Sequence, residues 1–210
     1  MERRELLKLI TLVTGGALIG GELFLSGCKN EPEMGGAAFN DQDIAFLDEA
    51  GETIMPKTKT PGAKEAKIGA FMQVMVNDCY TKEDQKIFHE GIGKLDKATK
   101  DKYKVSFMEA TPEQRKELFT ALDKEAREYA GKKSEFDREQ SAKANEAKQK
   151  GETYEKKTMD PHYFTMLKQL TLLGFFTSKT GATETLRHVA VPARFDGNFP
   201  YKKGDRAFFE

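Results

Sequence analysis

The chain has 210 residues, 32% of them charged and 38% hydrophobic, with 15 Phe and no Trp, which fits one ordinary globular domain with appendages. Its 34 basic and 34 acidic residues cancel, and because residues 1–27 carry three of each, the remainder is neutral as well. A long-range field that would draw it to nucleic acid or to anionic lipid is thereby excluded.

The first 28 residues read as an export signal rather than as part of a fold. Arg3 and Arg4 open a basic stretch of twin-arginine type, residues 9–21 form a modest apolar run, and Leu25-Ser26-Gly27-Cys28 matches a bacterial lipobox. Glycine pairs and then Glu22 break the run, and a charge at a membrane centre costs about 3 kcal/mol, so no stable span is expected. Residues 1–27 are therefore expected to be a twin-arginine-type lipoprotein signal peptide, with Cys28 acylated as the first mature residue and the protein held on the periplasmic side of a membrane. Lys29 supplies no aspartate signal for retention at the inner membrane. Residues 28–38, rich in Gly, Glu and Asn, read as a tether.

From Phe39 onward the pattern is helical, and 39–210 is expected to form one irregular all-α bundle. Asn40 or Asp41 can cap a helix carrying Ile44, Leu47, Ala50 and Ile54. It must stop at Met55-Pro56-Lys57-Thr58-Lys59-Thr60-Pro61-Gly62-Ala63, because each proline fixes its own φ and drives the residue before it toward extended backbone. Gly62 allows the turn. Thr58 and Thr60 either cap the next helix or belong to a recognition surface.

Beyond the bend, Ile68, Phe71, Met72, Met75, Val76 and Cys79 repeat at i, i+3, i+4, i+7, a core stripe that predicts Phe71 fully buried and Cys79 buried and inert. With Cys28 acylated, Cys79 has no partner for an intramolecular disulfide. Thr81 and Asp84 predict the start of a third helix bearing Ile87, Phe88, Ile92 and Leu95. Thr111-Pro112-Glu113-Gln114 predicts a fourth with Leu118, Leu122, Ala126 and Tyr129.

Residues 131–158 lose the periodicity and fill with Lys, Glu, Gln, Ala and Ser, so they read as a charged insertion, either a solvated helix or a mobile linker. Asp160-Pro161 predicts another helix start, carrying Phe164, Leu167, Leu170 and Thr171, with a shorter helix near Thr183 to Val189. The C-terminal tail is irregular yet keeps Pro192, Phe195, Phe199 and Tyr201, so it is expected to lie against its own domain or against a partner.

Two separated blocks carry a resemblance. Pro56-Lys57-Thr58-Lys59-Thr60-Pro61-Gly62-Ala63 resembles the Pro-x-Thr-x-Thr-Pro-Gly-Ala signature of the gluconate 2-dehydrogenase subunit 3 family. Pro161-His162-Tyr163-Phe164, Thr171-Leu172-Leu173-Gly174-Phe175-Phe176-Thr177-Ser178, Gly181, Leu186-Arg187-His188-Val189 and Val191-Pro192 look like its second block, in the right order, over most of residues 39–203. Phe175 and His188 stand where that family more often has tyrosine, and Ala193 where it more often has glycine. The resemblance implies a small, exported, non-catalytic subunit that accompanies a flavin- or nicotinamide-dependent (FAD or NAD(P)) sugar dehydrogenase, often completed by a haem-bearing cytochrome c subunit.

The residues themselves agree with that role. There is no Gly-x-Gly-x-x-Gly opening a strand and helix, no Cys-x-x-Cys-His and no cysteine cluster, so no familiar cofactor motif is present in this chain. His89, His162 and His188 are far apart and none has a His or Cys at metal spacing. Pro56, Thr58, Thr60, Pro61, Gly62, Pro192, Phe195, Phe199 and Tyr201 are the residues expected to meet a partner. Two functions remain open: a subunit that assembles, escorts and anchors a catalytic gluconate-type dehydrogenase, or a stand-alone periplasmic lipoprotein that binds or processes carbohydrate.

Overall fold

The computed structural model describes residues 39–189 and 196–209. Among these the protein is all-α, built from α1 (Asp41–Ile54), α2 (Ile68–Cys79), α3 (Lys82–Tyr103), α4 (Pro112–Lys150) and α5 (Tyr163–Thr177), followed by a π turn at Gly181–Thr185. Two short strands, β1 (Arg187–His188) and β2 (Phe208–Phe209), pair in parallel with Arg187 opposite Phe208.

Local chemistry sets the helix starts. Asn40 closes a reciprocal capping box on α1: its Oδ1 accepts from the Asp43 N–H at 2.9 Å while Asp43 Oδ2 accepts from the Asn40 N–H at 3.1 Å. Thr111 and Gln114 do the same for α4, with Pro112 at the first helical position where no N–H is needed. Thr81 caps α3 through the Asp84 N–H. The start expected at Asp160-Pro161 falls two residues later, because the capping acceptor is His162 Nδ1, which takes the Phe164 N–H at 3.3 Å.

The core lies where α1, α2 and α5 meet α3 and the first half of α4, around Leu47, Ile68, Met72, Val76, Leu95, Phe164 and Phe175. Glycines permit the closest approaches. A Cβ on Gly69 would lie 2.3 Å from the Ile44 carbonyl oxygen, so only glycine lets α2 lie against α1 there. Phe107, in the loop before α4, plugs the centre with no exposure, 4.6 Å from the Phe46 ring and 5.7 Å from that of Phe119.

Three expectations need correction. Phe71 is half-buried rather than fully buried: its ring covers Gly174 of α5 at the edge of the stripe, where α2 turns toward solvent. Cys79 is exposed, because the buried side of α2 is confined to Ile68, Gly69, Met72 and Val76 and the helix ends before another turn returns to the core. The segment expected as a short helix near Thr183 to Val189 is the π turn and then β1, and Gly181 forces it: a Cβ there would sit 1.8 Å from the Phe175 carbonyl oxygen.

Of the two readings of residues 131–158, helix holds as far as Lys150, and Gly151, with φ of 72°, ends it. This half of α4 does have a side to cover. Lys133, Phe136, Ala144, Gln140 and Ala147 recur at helical spacing as its less exposed positions, and the chain returning after Gly151 meets them. Gln140 Oε1 accepts from the Tyr154 hydroxyl at 2.8 Å and from the Lys157 N–H at 3.2 Å, and Tyr129 donates its hydroxyl to the Asp160 carbonyl at 2.8 Å.

Candidate partner-binding site

The proline bend is shaped by a residue that sequence reading passed over. Glu52, in the last turn of α1, points its carboxylate into the loop, where Oε1 accepts from the Lys57 N–H at 2.7 Å and Oε2 from the Lys64 N–H at 2.9 Å. Both ends of the bend are thus tied to one side chain. Charge-assisted bonds of this kind are roughly twice as strong as neutral ones. Gly62 is packed against that carboxylate: a Cβ would lie 2.3 Å from Glu52 Oε2 and 2.6 Å from the Lys57 nitrogen, so glycine is required by space, its φ being one that any residue can adopt. The Ala63 N–H donates to the Met55 carbonyl at 2.9 Å and closes the loop, with Ala63 itself wholly buried.

Neither threonine caps α2, which begins only at Ile68 behind Lys67 in the left-handed conformation, φ 54°. Instead the Thr58 N–H donates to the Thr60 carbonyl at 3.0 Å and the two hydroxyls lie 3.3 Å apart. Pro56 through Lys59 are exposed, Thr60 and Pro61 are half-buried, and Gly62 is buried. The surface on offer is therefore the tip of the bend, with Gly62 supporting it from beneath.

Under the bend lies a charged buttress. Glu49 is ion-paired with Lys64 and, at 2.6 Å, with Arg115, whose Nε and Nη2 donate to the carbonyls of Phe107 and Met108 at 2.9 and 2.8 Å. Burial pushes the Glu49 carboxyl up, but Lys64 and Arg115 together outweigh it and hold that carboxyl low. Asp48 accepts from the Gly69 N–H at 2.7 Å, yet burial wins there and its pKa is raised. A single run of α1, residues 48–52, thus positions both the bend and the start of α2.

The tail is described from Asp196 to Phe209, and its aromatics stand open: Phe199 is 43% exposed and Tyr201 74%. Phe199 meets Asp196, Phe208 and Arg187 rather than the bend. Arg3, Arg4, Cys28, Pro192 and Phe195 lie outside the described residues, so the expected signal, lipid site and part of the tail have no structural account here. Among the histidines, His89 is buried and stacked 4.2 Å from Phe39, and burial lowers its pKa. His162 caps α5, and His188 is exposed in β1. Tyr163 lines a small apolar crevice with Phe46, Phe88 and Gly91, and burial first, then the charge of Glu125, pushes its phenol up to about 12. Among the described residues no three His, Cys, Asp or Glu gather as a metal set, and no helix is long and apolar enough to cross a membrane.

The described residues define an all-α protein that presents a fixed backbone bend at its surface. The chain belongs to the gluconate 2-dehydrogenase subunit 3 family, whose description matches residues 41–193. It is thus an accessory subunit that associates with a catalytic dehydrogenase subunit in a complex. The match holds the whole bend and the second block, while Phe195, Phe199 and Tyr201 lie beyond it. Comparisons with curated proteins and with solved structures gave no match.

Proposed function

We propose that this subunit assembles with a catalytic gluconate-type sugar dehydrogenase, escorts it through export by the signal in residues 1–27, and holds it on the periplasmic side of the membrane through a lipid on Cys28. The chain itself carries no redox cofactor in this reading; the partner brings FAD or NAD(P), and a cytochrome c subunit with haem completes the electron path. The observation that carries the proposal is the bend at Pro56 to Ala63, inside the family match and tied at both ends to Glu52. A segment already fixed by its own protein loses little entropy on docking, which favours a binding role for it.

Mild-detergent purification of the tagged native chain tests this directly. A dehydrogenase is expected to co-purify, Cys28→Ala to abolish acyl labelling, and replacement of Arg3 and Arg4 by Lys to stop export of both proteins. Sugar oxidation by the isolated chain, or full export and activity of the dehydrogenase without it, would overturn the proposal in favour of the stand-alone carbohydrate lipoprotein.

A further inference from the structure

We propose that the C-terminal tail is a second docking surface, that Arg187 is the residue positioning it, and that it fits an apolar pocket rimmed by carboxylates on the catalytic subunit. The choice of partner rests on the function proposed above; the positioning role of Arg187 does not.

Arg187 makes several of the contacts between the tail and the body, beside the pairing of His188 with Phe209. The Arg187 N–H donates to the Ala207 carbonyl at 2.8 Å, and Arg187 is opposite Phe208 in the two-stranded ladder. Its guanidinium lies 4.8 Å from the centre of the Phe208 ring and 5.4 Å from that of Phe199. Those two rings meet edge to face at 5.1 Å and 82°. A planar cation shared by two ring faces holds them in one geometry, which a lysine ammonium cannot reproduce.

What this arrangement holds out is both aromatic and basic. Phe208 is 48% exposed and Tyr201 more so, so aromatic surface is left open beyond what the tail's own contacts cover. Lys202 and Lys203 follow Tyr201 directly, and Arg206 stands two positions before Phe208, all exposed. The Asp205 carboxylate is engaged by the Lys202 N–H at 2.8 Å, across a turn that Gly204 makes at φ 100°. Aromatic side chains with arginine are the residue types that concentrate binding energy at interfaces, and Arg187, Lys202, Lys203 and Arg206 outnumber the carboxylates Asp196 and Asp205, an excess that selects a partner with acidic groups around the pocket. Arg187 lies within the family match and the tail beyond it. The bend and the tail would then be separate surfaces for the same dehydrogenase.

The experiment compares the tagged full-length chain with Arg187→Ala, Arg187→Lys, Tyr201→Ala and a Lys202→Glu/Lys203→Glu pair, using as probe the dehydrogenase that co-purifies with the unaltered chain. Hydrogen exchange of residues 199–208 in the isolated subunit is read in parallel. Both Arg187 variants are expected to keep the melting temperature, since the side chain is exposed, while tail exchange rises at least tenfold and dehydrogenase recovery falls at least tenfold. Tyr201→Ala should lower recovery without changing tail exchange, and the charge-reversed pair should remove most of its salt dependence. Unchanged tail exchange in Arg187→Ala overturns the positioning role, whatever binds. Recovery unchanged in all four variants overturns the docking surface while leaving the proposed function standing. An unaltered chain that recovers no dehydrogenase overturns that function and the tail's partner together.

Discussion

Gly62 shows how one absent methyl group specifies a loop. Sequence alone offers turning freedom as the reason for a glycine there, but the structure gives a different one: the space its side chain would need is filled by the Glu52 carboxylate, while its φ is an ordinary one. Glu52 carries no local signature, since its bonds reach five and twelve residues ahead, to backbone groups of a loop that sequence reading cannot fold. Gly62→Ala should therefore displace the carboxylate and free both ends of the bend, at a cost of about 2 kcal/mol. Glu52→Ala should cost a similar amount. The two together should cost less than their sum, because the second change removes the carboxylate the first collides with and leaves only the Lys57 nitrogen in its way. Denaturant melts of the three variants decide it, and strict additivity would show that the carboxylate is not what the added methyl meets.

At the scale of the helices, starts were legible and faces only partly so. Caps such as Asn40, Thr81 and Thr111 are written within four residues, so they read directly. The width of a buried face depends on the neighbouring helix, which is why Phe71 and Cys79 were expected further inside than they lie. Distal α4 stayed open between helix and linker for a different reason, as its covered stripe is made of Gln, Ala and Lys side chains with Phe136 alone strongly apolar. Such a stripe buries little area, so the two halves of α4 should differ in stability. Amides between Leu118 and Ala126, whose side chains belong to the core, should exchange only on global unfolding, while those beyond Gly131 should exchange through local opening, at least a hundredfold faster. Gln140→Ala should speed the distal half further and leave the proximal half alone; uniform protection along α4 would contradict this division.

For the molecule as a whole, acid should act in two stages, first on His89 and then on carboxylates held low by their partners, Glu49 and Asp96 among them. Burial lowers the His89 pKa in the folded state, so the stability this neutral ring allows begins to fall as pH drops through its unfolded value of about 6.5. Glu49, held low by Lys64 and Arg115 despite burial, contributes stability that is present above an unfolded value of about 4.3 and is lost as pH falls through the lower folded one. Asp48 runs the other way, since its raised pKa means that protonation relieves a buried charge. Thermal melts should accordingly show a shallow decline below about pH 6.5 and a steeper one below about pH 4.5. Glu49→Gln should lower the melting temperature at pH 7 and flatten the steeper limb. An unaltered limb would place the acid sensitivity elsewhere. The all-α class was legible in the sequence because helix periodicity and caps are short-range; the coupling of Glu49 to Arg115, far along the chain, was not.

The distal part of α4 also imposes a length rule. From Tyr129 to Ala147 the helix rises about 27 Å. The returning chain from Glu152, whose N–H reaches the Ala147 carbonyl, to Asp160, which takes the Tyr129 hydroxyl, covers about 26 Å at strand extension. The two sides close only because their spans agree, although one uses more than twice as many residues as the other. Editing this spacer thus follows an exchange ratio: seven helical residues, two turns that keep Gln140 in phase, balance about three residues of the return. A deletion in that proportion should leave the bundle's melting temperature unchanged and the arm's amides protected. Removing the seven alone should leave the bundle intact while the return loses its register on the helix.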